Sequence, residues 1–266
     1  MNKMLLKKEL KDNLKSFIIW TSIIIAFVVM MIAVYPSFSN DMDAINEMMK
    51  NFPEGMLKAF NMDKIAFDTA IGYFATEGYM FVAILGGCFA SITAGSIISK
   101  EESDGTSEFL LSKPIARNKI VTSKILTVLI YITGLNLAIS LITLIGFNVI
   151  NEFNFTKWLL ISVGPLLLCL TFASISFLIS CFIIKSRKVM TISLALVLGT
   201  YMLNIVAKLT DTLSFLKYLS PFEYVDTGYL IVEETLPFKY IIIMIVIITV
   251  CITLTYRLYN KKDIEI

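Results

Sequence analysis

Apolar residues fill six long stretches of the chain, and the charged residues cluster between them. The stretches cover about 17–35, 78–98, 125–150, 158–184, 189–207 and 240–256. Each reaches or nearly reaches the ~20 residues that an α-helix needs to cross a ~30 Å hydrocarbon layer. None contains Lys, Arg, Asp or Glu, whose burial at a helix centre costs roughly 2.5–3.5 kcal/mol. The pattern predicts an all-α membrane protein of six transmembrane helices, forming a single transmembrane domain over 1–266. The first stretch exceeds the ~7–15 residues of a signal-peptide core. Its only nearby small-x-small site is Ser37-Phe38-Ser39, so it reads as a span and not as a cleaved leader.

Charge adds an orientation. With six spans, both termini share a side with the second and fourth loops. That side holds Lys3, Lys7, Lys8, Lys11 and Lys15, then Lys100, Lys113, Arg117, Lys119 and Lys124. It also holds Lys185, Arg187, Lys188, Arg257, Lys261 and Lys262, which makes sixteen of the 23 basic residues. The other side has Lys50, Lys58, Lys64, Lys157, Lys208, Lys217 and Lys239. The positive-inside rule then places both termini in the cytoplasm. The net charge of +2 is a topology signal and gives no reason to expect a nucleic-acid partner. Lysine far outnumbers arginine and Ile and Asn are frequent, which points to an AT-rich bacterial genome and a bacterial plasma membrane. In that setting Asn154-Phe155-Thr156 is an accidental glycosylation sequon.

The polar segments carry their own periodicity. Leu6, Leu10 and Leu14 repeat at a stride of four beside Lys3, Lys7, Lys11 and Lys15. This predicts either a helix over 1–16 lying in the membrane interface, in contact with lipid, or a simple basic anchor. Outside, Ile45, Met48, Met49, Phe52, Met56 and Phe60 follow helical spacing broken at Pro53-Glu54-Gly55. Leu209, Leu213 and Leu216 do the same before Ser220-Pro221 turns the chain back. Short external amphipathic helices are expected in both places.

Candidate chemistry is sparse. Cys88, Cys169, Cys181 and Cys251 lie within apolar spans without metal-ligand spacing, so they read as packing residues. There is no histidine, which excludes imidazole metal sites and His-based acid–base catalysis. Asn136, Ser140 and Thr143 form a polar stripe on the third span, and Ser193, Thr200 and Asn204 form one on the fifth. Such stripes either line a translocation path or bond helix to helix. No buried ion pair or carboxylate chain is expected, and Glu77 is placed at the outer interface.

The cytoplasmic loop over 99–124 is the most informative polar segment. Gly105 ends one turn, and Thr106 is suited to cap the next by satisfying free N–H groups. Glu108 then falls near the positive end of a short helix. Phe109, Leu110 and Leu111 give that helix an apolar side, and Pro114 stops it. A short helix held at the membrane surface suits a groove on a partner protein.

The string Glu-Glu-x-x-Gly-Thr-x-Glu-Phe-Leu-Leu-Ser-x-Pro-Ile-x-Arg resembles the cytoplasmic signature of type-2 ABC exporter permeases. Glu101, Glu102, Gly105, Thr106, Glu108, Phe109, Leu110, Leu111, Ser112, Pro114, Ile115 and Arg117 carry the likeness. The N-terminal elbow-like helix, Phe52-Pro53-Glu54 and Leu219-Ser220-Pro221-Phe222-Glu223-Tyr224 extend it along the chain. The resemblance implies a coupling helix that docks on a separate cytoplasmic ABC ATPase subunit. It implies a second permease copy or a paralogue beside this one, with substrate moved by alternating access. It also implies that ATP binds the partner, while this chain binds no cofactor and has no catalytic residue. The sequence agrees: there is no Gly-x-x-x-x-Gly-Lys-[Ser/Thr] phosphate loop. Two other readings stand beside this one. The first is an ATP-independent channel or structural membrane subunit. The second is an intramembrane protease, which the absence of histidine disfavours. Substrate identity is not legible in these residues.

Overall fold

The computed structural model describes residues 2–40, 47, 51–65, 69–107, 112, 115–209 and 211–262. Six helices are long and apolar enough to cross a membrane, and no strand occurs among the described residues. We label the helices α1 (Lys3–Asn40), α2 (Glu54–Ala59), α3 (Ala70–Tyr73), α4 (Tyr79–Ser103), α5 (Arg117–Val149), α6 (Phe155–Phe182), α7 (Ser186–Leu209) and α8 (Phe238–Lys261). A π-turn over Phe74–Gly78 joins α3 to α4 without a break, so the second span is one rod. Asn154 caps α6 by accepting from the Lys157 N–H, and Thr69 caps α3 by accepting from the Gly72 N–H.

α4 and α6 form the centre. In their most apolar windows 72% and 61% of residues are buried, against 17–39% in the other four spans. Small residues let them approach: a Cβ on Gly86 would touch Cys169 Sγ, and one on Gly87 would touch Phe172. α1 and α5 pair on one side of this centre, α7 packs on α4 on the other, and α8 rests on α6. The outward faces of α1, α5, α7 and α8 carry Ile18, Ile23, Leu137, Leu141, Leu198, Met202, Ile245 and Val246, all exposed. Exposed aliphatic side chains in four separate helices are what lipid-facing surfaces require.

Two expectations change. No separate interfacial helix exists over 1–16; α1 runs unbroken for 38 residues from Lys3. Its first turns bury Leu5 and Glu9 and leave Leu14 exposed, so the leucine stripe is not the buried one. The reason is polar: the Tyr131 hydroxyl donates to the Leu10 carbonyl and Glu9 meets Lys124, which hold this segment against α5. Between the first two spans, α2 supplies one short helix around Met56. Ile45, Met48 and Met49 lie outside the described residues.

The second change is a re-entrant segment. After α7 the chain forms a 3-10 turn over Asp211–Leu219, another over Glu223–Val225 and a π-turn over Gly228–Val232. Phe222 packs 5.5 Å from the Phe172 ring and 5.4 Å from that of Tyr201. Phe172 lies past the middle of α6, so this segment enters the bundle before returning to α8. Irregular backbone at such depth must be enclosed by protein, and Phe222, Glu223, Tyr224, Val225, Leu230 and Ile231 are all buried.

Candidate functional site

The N-terminal ends of α1 and α5 and the C-terminal ends of α4 and α8 converge on a set of ion pairs. The Lys124 ammonium is fully enclosed. It lies 3.0 Å from Glu9 Oε1 and 2.6 and 2.7 Å from the two Glu101 oxygens, and it also donates to the Ile97 carbonyl. An unpaired buried ammonium would be strongly unfavourable, and four acceptor oxygens from three residues replace its water. The expectation that this bundle has no buried ion pair is therefore corrected. Lys124 sits one residue ahead of the third apolar stretch, where sequence alone reads it as a topology charge.

A second set surrounds the first. Lys262 Nζ lies 2.6 Å from Glu102 Oε2, which ties the end of α8 to α4. Arg117 donates to the Asn260 and Lys262 carbonyls at 3.1 and 2.7 Å, satisfying orphan acceptors at the α8 terminus. The Thr122 and Tyr256 hydroxyls meet at 2.8 Å.

α4 ends in a Schellman motif. Gly105 adopts φ +66°, its N–H reaches the Glu102 carbonyl at 3.3 Å, and the Thr106 N–H reaches that of Glu101 at 2.8 Å. Glycine suits this left-handed conformation because it has no Cβ to clash. The Thr106 hydroxyl points back to the Glu101 carbonyl, so it closes α4. Of the residues read as coupling positions, Glu101, Glu102 and Arg117 pair inside the chain, while Gly105 and Thr106 lie at the exposed rim. Glu108, Phe109, Leu110, Leu111 and Pro114 lie outside the described residues.

The two polar stripes do not meet. On α5 the Asn136 amide donates to the Ile132 carbonyl, Ser140 to that of Asn136 and Thr143 to that of Ser140. The three line a cavity of about 10 Å³ with Tyr79 and Ser162, room for about one water. On α7, Ser193 is buried against Gly95 of α4, and Thr200 bonds back to its own helix. Asn204 donates to Glu223 Oε2 at 3.2 Å. α5 packs on α1, α4 and α6, whereas α7 packs on α4 and α6, so the central pair separates the stripes.

On the opposite end lies a polar cluster that periodicity did not reveal. Asn61, at φ 57°, donates to both Asp226 oxygens and to Thr227 Oγ1, and Lys208 also pairs with Asp226. Glu223 accepts from Asn204 and Tyr229. Burial pushes the Glu223 carboxyl above the ordinary range, and the Asp226 charge adds to this, against the pull of Lys208 and the Asn204 hydrogen bond. Asn61, Lys208, Glu223, Asp226 and Tyr229 edge a cavity of about 430 Å³ that also takes in Lys58, Lys64, Lys217 and Glu233. The available signal was the mix of acids and aromatics in 222–229, too short to be a span.

Among the described residues no group of His, Cys, Asp and Glu could hold a metal ion, and the four cysteines are free and buried. The arrangement offers no nucleophile–base pair. It offers a mechanical joint at one end and a re-entrant cap at the other. No characterised protein sequence matches the chain at a significant level. Residues 4–264 match the family model described as "ABC-2 family transporter protein". The chain belongs to that family, and is thus a multi-pass permease subunit of an ABC transporter and not itself the ATPase.

Proposed function

We propose that this permease exports its substrate by alternating access, driven by ATP bound and hydrolysed on a separate cytoplasmic ATPase subunit. Two permeases, identical or paralogous, complete the membrane part. The chain itself binds no nucleotide and forms a single transmembrane domain in a bacterial plasma membrane. Both termini face the cytoplasm, in keeping with the uneven spread of the basic residues.

The observation that carries this reading is the joint at Lys124. Loop 99–124 leaves α4 through Glu101 and Glu102 and returns through Arg117 and Lys124. Each of these four side chains is tied to another element: Glu101 and Lys124 to each other and to α1, Glu102 and Arg117 to the α8 end. A push on the exposed rim at Gly105–Thr106 therefore reaches three spans through short, enclosed ion pairs. In this reading residues 105–114 form the coupling surface, with Glu108, Phe109, Leu110, Leu111 and Pro114 at its centre. Asn136, Ser140, Thr143, Ser193, Thr200 and Asn204 are retained as pathway candidates only as parts of a two-subunit assembly.

Orientation is tested by single cysteines in a cysteine-free background. A membrane-impermeant maleimide on intact cells should label Thr156→Cys and leave Asp104→Cys unlabelled, both positions being exposed. Labelling at 104 from outside reverses the orientation and removes the cytoplasmic coupling surface.

Coupling is tested by Thr106→Pro combined with Leu110→Asp, and by Glu108→Lys alone. Both variants should reach the membrane at near-normal levels, because the changes lie outside the hydrocarbon. The double variant should lose the copurifying ATPase, and Glu108→Lys should lower the ATP turnover of the complex. A double variant with unchanged ATPase association and unchanged transport overturns the coupling assignment.

A further inference from the structure

The cavity of about 430 Å³ beside Asp226 takes no part in the coupling joint, yet charged residues build it. Three segments wall it: α2 with the turn after it, the end of α7 with the following 3-10 turn, and the re-entrant segment. Asn61, Ala207 and Glu223 line it and are buried. Lys58, Asp63, Lys64 and Glu233 line it and are exposed, so it has an enclosed floor and an open rim. Its size falls within the ~300–1,000 Å³ of small-ligand sites, but so polar a lining suits a charged group and not an apolar one.

The charges of the floor are matched. Lys208 pairs with Asp226, and Lys217 lies 3.9 Å from Glu223. The charges of the rim are not. The side chains of Lys58, Asp63, Lys64 and Glu233 make no hydrogen bond or ion pair with a described residue. Two lysines against one aspartate leave an excess positive charge on the first wall. Glu233 leaves an excess negative charge on the third. Asn61 ties these two walls together through Asp226 and Thr227, which fixes both charges around one space. A ligand carrying one charge of each sign would neutralise both.

Position in the bilayer selects among such ligands. α7 has 24 residues and is about 36 Å long, slightly more than the ~30 Å hydrocarbon layer. Lys208 sits in its last turn, so the cavity lies at the level of lipid headgroups. Leu198, Met202, Val206 and Leu209 are exposed at strides of four, four and three, and this apolar strip runs along α7 up to the cavity. Phe215 and Tyr218 are exposed on the 3-10 turn whose Ser214 and Lys217 line the cavity. Aromatic side chains collect at that membrane level.

We propose that this cavity binds the headgroup of a zwitterionic phospholipid. Lys58 and Lys64 hold the phosphate as point charges, and Glu233 holds the amine. The acyl chains lie along the α7 strip from Leu198 to Leu209. Bound there, the lipid ties α2, α7 and the re-entrant segment to the bilayer. This assignment does not depend on the permease reading.

The test uses the full chain, delipidated in detergent, with lipid binding followed by native mass spectrometry. Dioleoylphosphatidylethanolamine should bind saturably and about threefold to fivefold tighter than dioleoylphosphatidylglycerol, the worth of one exposed ion pair. Lys58→Ala with Lys64→Ala should weaken both lipids about tenfold, because both carry the phosphate. Glu233→Gln should weaken the ethanolamine lipid alone and so remove the preference, a change that a general loss of structure would not give. All three positions are exposed, and thermal melting confirms that the variants fold. Glycerophosphoethanolamine, the headgroup without acyl chains, should fail to displace the lipid even in large excess. Equal affinity of the wild type for the two lipids, or unaltered binding in the lysine double variant, overturns the proposal. Displacement by the headgroup alone also overturns it, because the cavity would then take a soluble zwitterion and not a lipid.

Discussion

Replacing Lys124 with methionine is expected to destabilise the protein by about 3–5 kcal/mol, the cost of breaking a buried ion cluster by removing one sign of charge. The change leaves Glu9 and Glu101 close together, both buried, with no cation between them. Nearby Lys100 is half-exposed, pairs with Asp12 and cannot replace the lost ammonium. Thermal unfolding in detergent, followed through Trp20 and Trp158, measures the loss. Adding Glu9→Gln and Glu101→Gln to Lys124→Met should restore most of the stability. A neutral, filled site is often as stable as the ion pair it replaces. An unaltered melt in Lys124→Met would show that the cluster does not hold these helix ends together. The rescued triple variant then asks a separate question: whether folding without these charges still transmits ATP turnover to the spans.

Gly164→Val is expected to cost about 2–4 kcal/mol and to loosen the re-entrant segment. A Cβ at Gly164 would run into the Tyr79 hydroxyl and come within 3.2 Å of Leu230 Cδ1. Tyr79 is wholly enclosed and cannot swing aside, so overpacking of about 1–3 kcal/mol applies. Its hydroxyl also donates to the Val225 carbonyl at 2.9 Å. Losing that bond adds about 0.5–1.5 kcal/mol, because the carbonyl sits where no bulk water reaches it. Amide exchange should accelerate over 222–232, while α1 and α5 near the Lys124 cluster stay protected. Tyr79→Phe in a Gly164→Ala background should recover part of the loss, since it removes the clashing oxygen. Unchanged exchange over 222–232 in Gly164→Val would mean that the segment is anchored elsewhere.

The six spans and their order were legible because lipid imposes one rule on every spanning segment: about twenty residues that bury their own backbone polar groups and carry no charge. That rule acts locally, so each window can be judged without its neighbours. The end of α4 was legible for the same reason, since Gly105 and Thr106 close it with bonds to residues three and five positions back, respectively. The family resemblance of the 101–117 string was also local, and the match over 4–264 bears it out.

Long-range matters were decided only by the tertiary structure. Lys124 looks like any other lysine flanking a span until α1 and α4 bring Glu9 and Glu101 to it from 115 and 23 residues away. The leucine stripe over 6–14 suggests an interfacial helix, and only the fold shows that one buried carboxylate and one tyrosine hydroxyl tie that segment to α5. The buried part of the re-entrant segment, 220–232, has neither the length of a span nor the period of an amphipathic helix. Its burial depends on Phe172, Tyr201 and Gly164 from α6 and α7, which pack against Phe222 and Leu230. Hydrophobic length is a property of one segment and is written in the sequence. The partner of a buried charge is a property of several packed segments, and only the fold supplies it.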